Sequence, residues 1–511
     1  MDVRKRAVAA VLAGLIAGVC GCGDNSRETA SPAPQVLRVA TAESRCTIAP
    51  MGMTGLSPVS YGMAELLVRP LADGGVAPWL AESFVQERPD LWRFQLREGV
   101  RFHNGRQMDA DAVVASLRHV AKESFTRDAV TGGTLTVTGP REFTLTTEEP
   151  LALAPNALAS IYSYPIYDVA AAERAGKDET ALVAAGVYTG PFRPVAVTGQ
   201  VITTERFEGY WGTRPHLPGV ELRCVGDAQA RVSAVRAGEV DIALSPPPGV
   251  ATVLGNDQRA VLTTAKTPTE ATFLQLNLGR APFDELPVRQ AFALGIDYAA
   301  VSRGLGLGEP ATGLYPAAAP WTARSQRTDP AAATRLLDEA GWTAGPDGVR
   351  VKNGRALRVT YLWSESPAHE TIGVLLRDQL RTVGFDVRPR QVEAHYDDES
   401  WPAEWHLNAN PMTMDGLGND PTQVLHNWLG PGAQNFGRVR DAHLDRIVAE
   451  ARQAPAPRRN DLLREAQRII SAQGYAVVAA FAPVEAVVGT AYRGFRPDPK
   501  QLHISPELGT G

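Results

Sequence analysis

Enzymatic signatures are missing from this 511-residue sequence. There is no Gly-x-Ser-x-Gly elbow, no His-Glu-x-x-His pair and no Walker phosphate loop. His369-Glu370 lacks a second histidine at metal-hydrolase spacing, and the Gly304–Pro310 stretch GLGLGEP lacks the full dinucleotide fingerprint and reads as a loop. No two carboxylates stand out as a matched acid and base. Charge of one sign is scarce too: 51 Lys and Arg against 56 Asp and Glu leave a net charge of -5, which gives nucleic acid no extended basic surface. Cysteine is rare, four in all, and past the amino terminus no apolar run is long enough to cross a bilayer. The chain is expected to be neither an enzyme nor a cofactor carrier.

What is present begins with MDVRKRAVAAVLAGLIAGVCGCGDNS. Arg4, Lys5 and Arg6 precede the apolar run Ala7–Val19, too short for a mature spanning helix, and the segment reads as an export signal over residues 1–21. Its closing cysteines resemble a lipobox. Cys22 is the preferred lipidation site, because Gly21 precedes it, whereas Cys20 would place Val19 at the cleavage position. Residues 22–35, polar and Pro/Ser-bearing, read as a flexible tether, so the mature chain is expected outside the cytoplasm, anchored to the membrane by lipid alone. Cys46 and Cys224 remain, and in an oxidising compartment they form one disulfide or stay as isolated buried thiols.

At 44% hydrophobic and 21% charged the body is an ordinary globular composition, and its length exceeds what one core supports, so two or more lobes are expected. Val36–Ala42 reads as a strand and Tyr61–Asp73 as a helix stopped by Pro70. WRFQLR alternates Trp92, Phe94 and Leu96 with polar residues, a half-buried strand. VRFHNG follows as a second short strand ending in the Asn104-Gly105 turn, and Asp109 caps the helix of ADAVVASLRHV. His103 has no partner at ligand spacing and reads as architecture. Thr263–Gly279 marks a boundary; beyond it helices such as PVRQAFALGID alternate with strands such as ALRVTYLW. YAVVAAFAPVEAVVGTA reads as two apolar strands returning to the first lobe.

Four ordered blocks carry a resemblance. PWLAESFVQERPDLWRFQLREGVRFHNGRQMDADAVVASL resembles the signature region of the extracytoplasmic solute-binding proteins, family 5, of peptide and nickel transporters. The Tyr210-Trp211-Gly212 and Gly238–Asp241 stretches, FLQLNLGRAPFDELPVRQAFALGID, and Asp329–Trp342 are similar to its later blocks. The resemblance implies an α/β, two-lobed, periplasmic-binding-protein-like (type II) fold with an extra subdomain and a ligand cleft between hinged lobes. Lobe I would take residues 36–267, with the extra subdomain at about 60–185, lobe II residues 268–483, and 484–511 would return to lobe I. A monomeric binding lipoprotein of an ABC importer is implied, delivering a short peptide or peptide-like solute to a permease driven by a cytoplasmic ATPase. A secreted hydrolase and a ligand sensor are the alternatives from other classes.

In the family's peptide binders an acid shortly before an Asp-Pro step holds the ligand's α-amino group. Here Asp420-Pro421 keeps the step, Leu417 stands where the acid is expected, and Asp415 lies two residues earlier. The expected ligand-facing set is Tyr61 and Met63, Tyr162 and Tyr164, Asn277 near the hinge, and Asp415, Asp420 and Trp428 on the second lobe: aromatic faces around a few polar anchors. The alternative ligand is nickel or another metal held as a small-chelator complex, with His406, Met412, Met414 and His426 as candidate ligands and Arg127, Arg438 and Arg440 as candidate partners for the chelator.

Overall fold

The computed structural model describes residues 35–43, 45–50, 57–72, 74–123, 133–161, 164–364, 366–392, 401, 403–413, 420–432 and 434–509. The export segment, the tether, Cys20, Cys22, Arg127, Tyr162, Met414 and Asp415 lie outside them.

Ten strands form one sheet whose order runs Asp386–Gln391, Arg358–Trp363, Leu407–Thr413, Ala260–Leu276, Ala476–Gly489, Ile242–Leu244, Leu37–Thr41, Val220–Cys224, Val201–Arg206 and Phe192–Val197. Beside two smaller clusters, one around Val232 and Leu254 and one around Trp401 and Trp405, two large hydrophobic cores lie along it. One gathers residues between Leu37 and Leu244 with Ala486–Ile504; the other gathers residues between Ala271 and Phe481. A separate four-stranded antiparallel sheet (Ala81–Arg88, Leu91–Leu96, Glu142–Thr146, Thr134–Gly139) packs with the helix Ala110–Glu123 onto the first core.

The two cores are joined through two long antiparallel strands, an outgoing one, Ala260–Leu276, and a return one, Ala476–Gly489. Thus the boundary segment is continuous strand, and the carboxyl-terminal apolar stretch is one strand rather than two. Their ladder breaks in the middle. Between the pairs Thr264–Glu485 and Pro268–Pro483 the outgoing strand advances four positions while the return strand advances two. Such a bulge, with a proline on each side unable to donate to the ladder, leaves the crossing weakly tied. On one side of it the ladder joins Ile242–Leu244 of the first lobe, on the other Leu407–Thr413 of the second.

Local chemistry explains most elements. Asp109 accepts from the Ala112 amide at 2.8 Å, capping the Ala110–Glu123 helix. Trp92, Phe94 and Leu96 are buried and their neighbours half-exposed, the alternation of a strand with one wet face. Two expectations differ. VRFHNG is held by one bridge, Arg101 to Gln107, because the Gly105 turn with φ 84 reverses the chain at once. Residues 61–67 form no helix: Met63, Ala64, Leu66 and Leu67 are buried along with Glu65, leaving no polar face for solvent. Val68–Pro70 is instead a short strand. Cys46 and Cys224 are joined as a disulfide with Cα atoms 5.5 Å apart, tying the loop after the first strand to Val220–Cys224.

Candidate functional site: the facing walls of the two lobes

On the first lobe the loop carrying Tyr61 and Met63 is pinned from both sides. The Met63 amide donates to the Pro58 carbonyl and its carbonyl accepts from Gly190, each at 2.9 Å. A Cβ at Gly190 would stand 2.4 Å from the Gly62 carbonyl, so only glycine permits this approach. Tyr61, Met63 and Tyr164 are buried in the first core, with the Tyr61 ring 6.0 Å from His503. Beneath the loop, Glu65 is fully buried and accepts from Tyr210 Oη at 2.9 Å and Trp211 Nε1 at 3.1 Å. Burial drives its pKa up to about 7, against the pull of those donors. The Tyr-Trp-Gly block therefore serves this buried carboxylate. His103 is likewise structural in its contacts: its Nε2 lies 2.8 Å from the Gly190 carbonyl and its ring packs edge-on against Phe207.

The second lobe's wall is made differently. Strand Leu407–Thr413 pairs with the outgoing strand so that Asn408 stands opposite Gln275 and Asn410 opposite Phe273, placing all four on one face. Helix Pro421–Leu429 covers that face: Gln275 Nε2 donates to the Trp428 and Gln434 carbonyls at 3.0 Å, and Phe273 meets Trp428 edge-on at 5.9 Å. Asn427 and Gln434 join the cluster, their segments linked by the Gln434 amide donating to the Asn427 carbonyl at 3.1 Å. Beside it Trp401, Trp405, Phe436 and Trp428 form a chain of edge-to-face rings 5.1 to 6.3 Å apart.

This amide cluster is underemployed. Among the described residues, Asn410 Nδ2, Gln275 Oε1, Asn427 Oδ1 and Gln434 Nε2 are buried without a hydrogen-bond partner. Each such atom costs on the order of 1–3 kcal/mol when it stays unpaired. Native folds keep few of them, and four around one helix make the natural place for an outside donor and acceptor.

The other expected residues have local duties. Asp420 caps helix Pro421–Leu429, accepting from the Thr422 amide at 2.9 Å; burial raises its pKa, while the Thr422 bonds and the charges of Arg452 and Arg459 oppose the rise. Asn277 spends both ends on its own surroundings, donating to the Trp405 carbonyl at 3.3 Å and accepting from the Gly279 amide at 3.2 Å. His406 Nδ1 accepts from the Thr360 amide at 3.0 Å, and burial together with Arg280 lowers its pKa to about 4. Met412 stands opposite Ala271 in the sheet. Among the described residues no group of three or more His, Cys, Asp or Glu is gathered as metal ligands. His426 instead lines a cavity of about 570 Å3 between the lobes, where Thr147–Leu151 faces Asp445, Arg446 and Arg452. The Ala152 amide donates to the Arg452 carbonyl at 3.1 Å across that junction.

Near the break in the crossing strands sit two carboxylates, Glu270 and Glu485. Burial and then the charge of Glu485 raise the Glu270 pKa to about 7, with Gln501 donating to its Oε1 at 3.3 Å. Neither these nor the amide cluster was anticipated from the sequence. The signal lay in HLNANPMT, where Asn408 and Asn410 alternate with Leu407 and Ala409 in a strand too apolar in its neighbours to be an edge.

A family model described as bacterial extracellular solute-binding proteins, family 5 middle, matches residues 75–436. The nickel-binding periplasmic protein of Escherichia coli is 28% identical over 346 residues, 63% of this chain and 64% of that protein, so the match spans just under two thirds of that relative. The glutathione-binding protein GsiB of Salmonella paratyphi A is 27% identical over 420 residues, 76% of this chain and 78% of that one. In structure, NikA from Brucella suis in complex with Fe(III)-EDTA superposes with a TM-score of 0.80 at 21% identity, covering 93% of this chain and 99% of that one. The oligopeptide-binding protein AppA from Bacillus subtilis, in complex with a nonapeptide, gives 0.75 at 19% identity, covering 93% and 98%. These likenesses identify the fold as the two-lobed periplasmic-binding-protein type.

Proposed function

The chain belongs to the bacterial extracellular solute-binding proteins, family 5, and from that premise we propose that it captures a short peptide or peptide-like solute outside the cytoplasmic membrane and passes it, unaltered, to an ABC permease. The observation that carries the ligand class is the second-lobe wall. A peptide presents neutral N–H and C=O groups in alternation, and the partnerless amide atoms of Asn410, Gln275, Asn427 and Gln434 offer both donors and acceptors to such a backbone. The adjoining tryptophans supply apolar surface for side chains. Asp415 and Tyr162 complete this reading as contacts for the amino end and an aromatic flank. The bulged crossing of the two long strands is the hinge, and ligand shifts it toward closure by bonding both walls at once. Cys22 carries the lipid anchor, and the protein acts as a monomer.

The test uses the full-length chain purified from its membrane and titrated with a tri- to pentapeptide pool, with mass spectrometry of whatever co-purifies. Retained intact peptides are the expected result. Asn410→Ala should weaken peptide binding about tenfold, the worth of one good buried hydrogen bond. An unbound pool and unchanged affinity in the variant would sink the peptide reading. A second reading, a nickel complex of a small chelator, is favoured by His426 standing with Arg446 and Arg452 in the inter-lobe cavity, a pairing of imidazole with groups that hold carboxylates. Nickel in stoichiometric amount in the purified protein, without peptide, would select it.

A further inference from the structure

The second lobe holds another cavity, of about 670 Å3, to which the first lobe contributes no lining residue. Its walls come from helices Leu286–Gly295, Pro330–Glu339 and Ala456–Gln473, the loop between Thr322 and Thr328, and the start of the return strand at Ala476 and Val477. None of the amide cluster lines it. Four arginines do: Arg324 and Arg327 from the loop, Arg335 from one helix and Arg468 from another, against one lining carboxylate, Glu339.

In a chain of net charge -5, three of these guanidiniums, Arg324, Arg335 and Arg468, have no hydrogen bond or ion pair among the described residues. Arg327 has one loose contact, 3.8 Å from Asp329. Other arginines have acids to answer them, as Arg38 has Asp241 at 2.8 Å and Arg350 has Asp338 at 2.6 Å. Gathering like charges around a concavity raises their mutual repulsion unless an anion enters. The buried Ser325 hydroxyl, also on the lining, has no partner either. The loop is held in place: Gln326 bonds the Val478 backbone twice, at 2.9 and 2.8 Å, and Ser471 donates to the Ser325 carbonyl. Planar guanidinium forks on a braced loop and two helices match an oxyanion bidentately.

We propose that this cavity is a second binding site, separate from the inter-lobe cleft, for a small multiply charged oxyanion of the phosphate class. The arginines supply the charge and the Ser325 hydroxyl a directional donor. The same chemistry is offered by a soluble phosphate compound and by a phospholipid headgroup.

The probe is pyrophosphate, titrated into the full-length chain by calorimetry at low ionic strength. One saturable site is expected, weakening as salt rises. The double variant Arg335→Ala/Arg468→Ala should lose about a hundredfold in affinity, roughly tenfold per charge-assisted contact. Both residues are solvent-exposed, so its melting temperature and its peptide binding should match the parent's. Displacement of pyrophosphate by phosphatidic acid vesicles, whose headgroup is a phosphate monoester, would assign the headgroup as occupant, and failure to displace would assign the soluble anion. No saturable binding at millimolar pyrophosphate, or a double variant that binds as well as the parent, overturns the site.

Discussion

In the first lobe two buried carboxylates are answered. Glu65 receives Tyr210 and Trp211, and Asp168 receives the Ala171 amide, Asn104 and Arg106. In the second lobe four neutral amides around helix Pro421–Leu429 each keep an atom unanswered among the described residues. The first arrangement makes a rigid frame, because the oxygens of Glu65 and Asp168, removed from water, are compensated within the fold. The second leaves interaction energy unspent, available only when something enters. The two halves of one sheet thus divide the work, one holding shape and the other holding recognition.

The largest expected contrast is in acid. His103 and His503 lie in the first core, and burial lowers both to about 4 from the ordinary 6.5. A depressed histidine contributes stability that is present above 6.5 and lost as pH falls toward 4, about 3 kcal/mol each. Glu65 runs the other way: raised to about 7 from 4.5, it contributes stability that is full below 4.5 and lost as pH rises through 7. The two slopes oppose each other in the native chain. In Glu65→Gln the opposing carboxylate slope is removed, and hydrogen exchange should show first-lobe protection, which carries two depressed histidines, falling between pH 6.5 and 4 by more than that of the second-lobe strands, where His406 alone is depressed and Glu270, raised to about 7, opposes it. Equal loss in both lobes would break the comparison. Next in size is the disulfide, which closes a separation of 178 residues wholly within the first lobe. Cys46→Ser/Cys224→Ser should cost about 2–5 kcal/mol in denaturant unfolding, with second-lobe exchange unchanged.

The frame was legible in the sequence because it obeys local rules. The Asp109 cap and the alternation of Trp92, Phe94 and Leu96 are each fixed by a few adjacent residues. Residues 61–67 misled for the same reason: apolar residues at helical spacing carry no mark that every side will be covered. The crossing strands were also obscured, since only pairing across more than 200 positions makes Pro268 and Pro483 facing sites of one ladder. The candidate site was less legible still. Tyr61, Met63 and Tyr164, expected to face ligand, are buried in the first core, and a large side chain carries no sign in the sequence of which way its element will turn. The amides of Asn410 and Asn427 are 17 positions apart in sequence, and their placement on one side of the sheet depends on a helix folding back over a strand.

The smallest expected effect sharpens the comparison most. Gln434 is buried, its Nε2 has no partner, and its backbone, not its side chain, carries the bonds to Gln275 and Asn427. Gln434→Met keeps the length and removes the unanswered amide without orphaning any neighbour. Were Gln434 part of a frame, losing it would lower the melting temperature. As part of a recognition wall, losing it should leave the unliganded protein unchanged or more stable by about 1 kcal/mol, while peptide affinity falls several-fold. A corresponding cut in the first lobe, Tyr210→Phe, removes a donor that Glu65 uses and should destabilise by about 1 kcal/mol without touching affinity directly. Paired thermal melts and peptide titrations on these two variants separate the roles: opposite signs on stability mark one lobe as frame and the other as wall, and matching signs would erase the distinction.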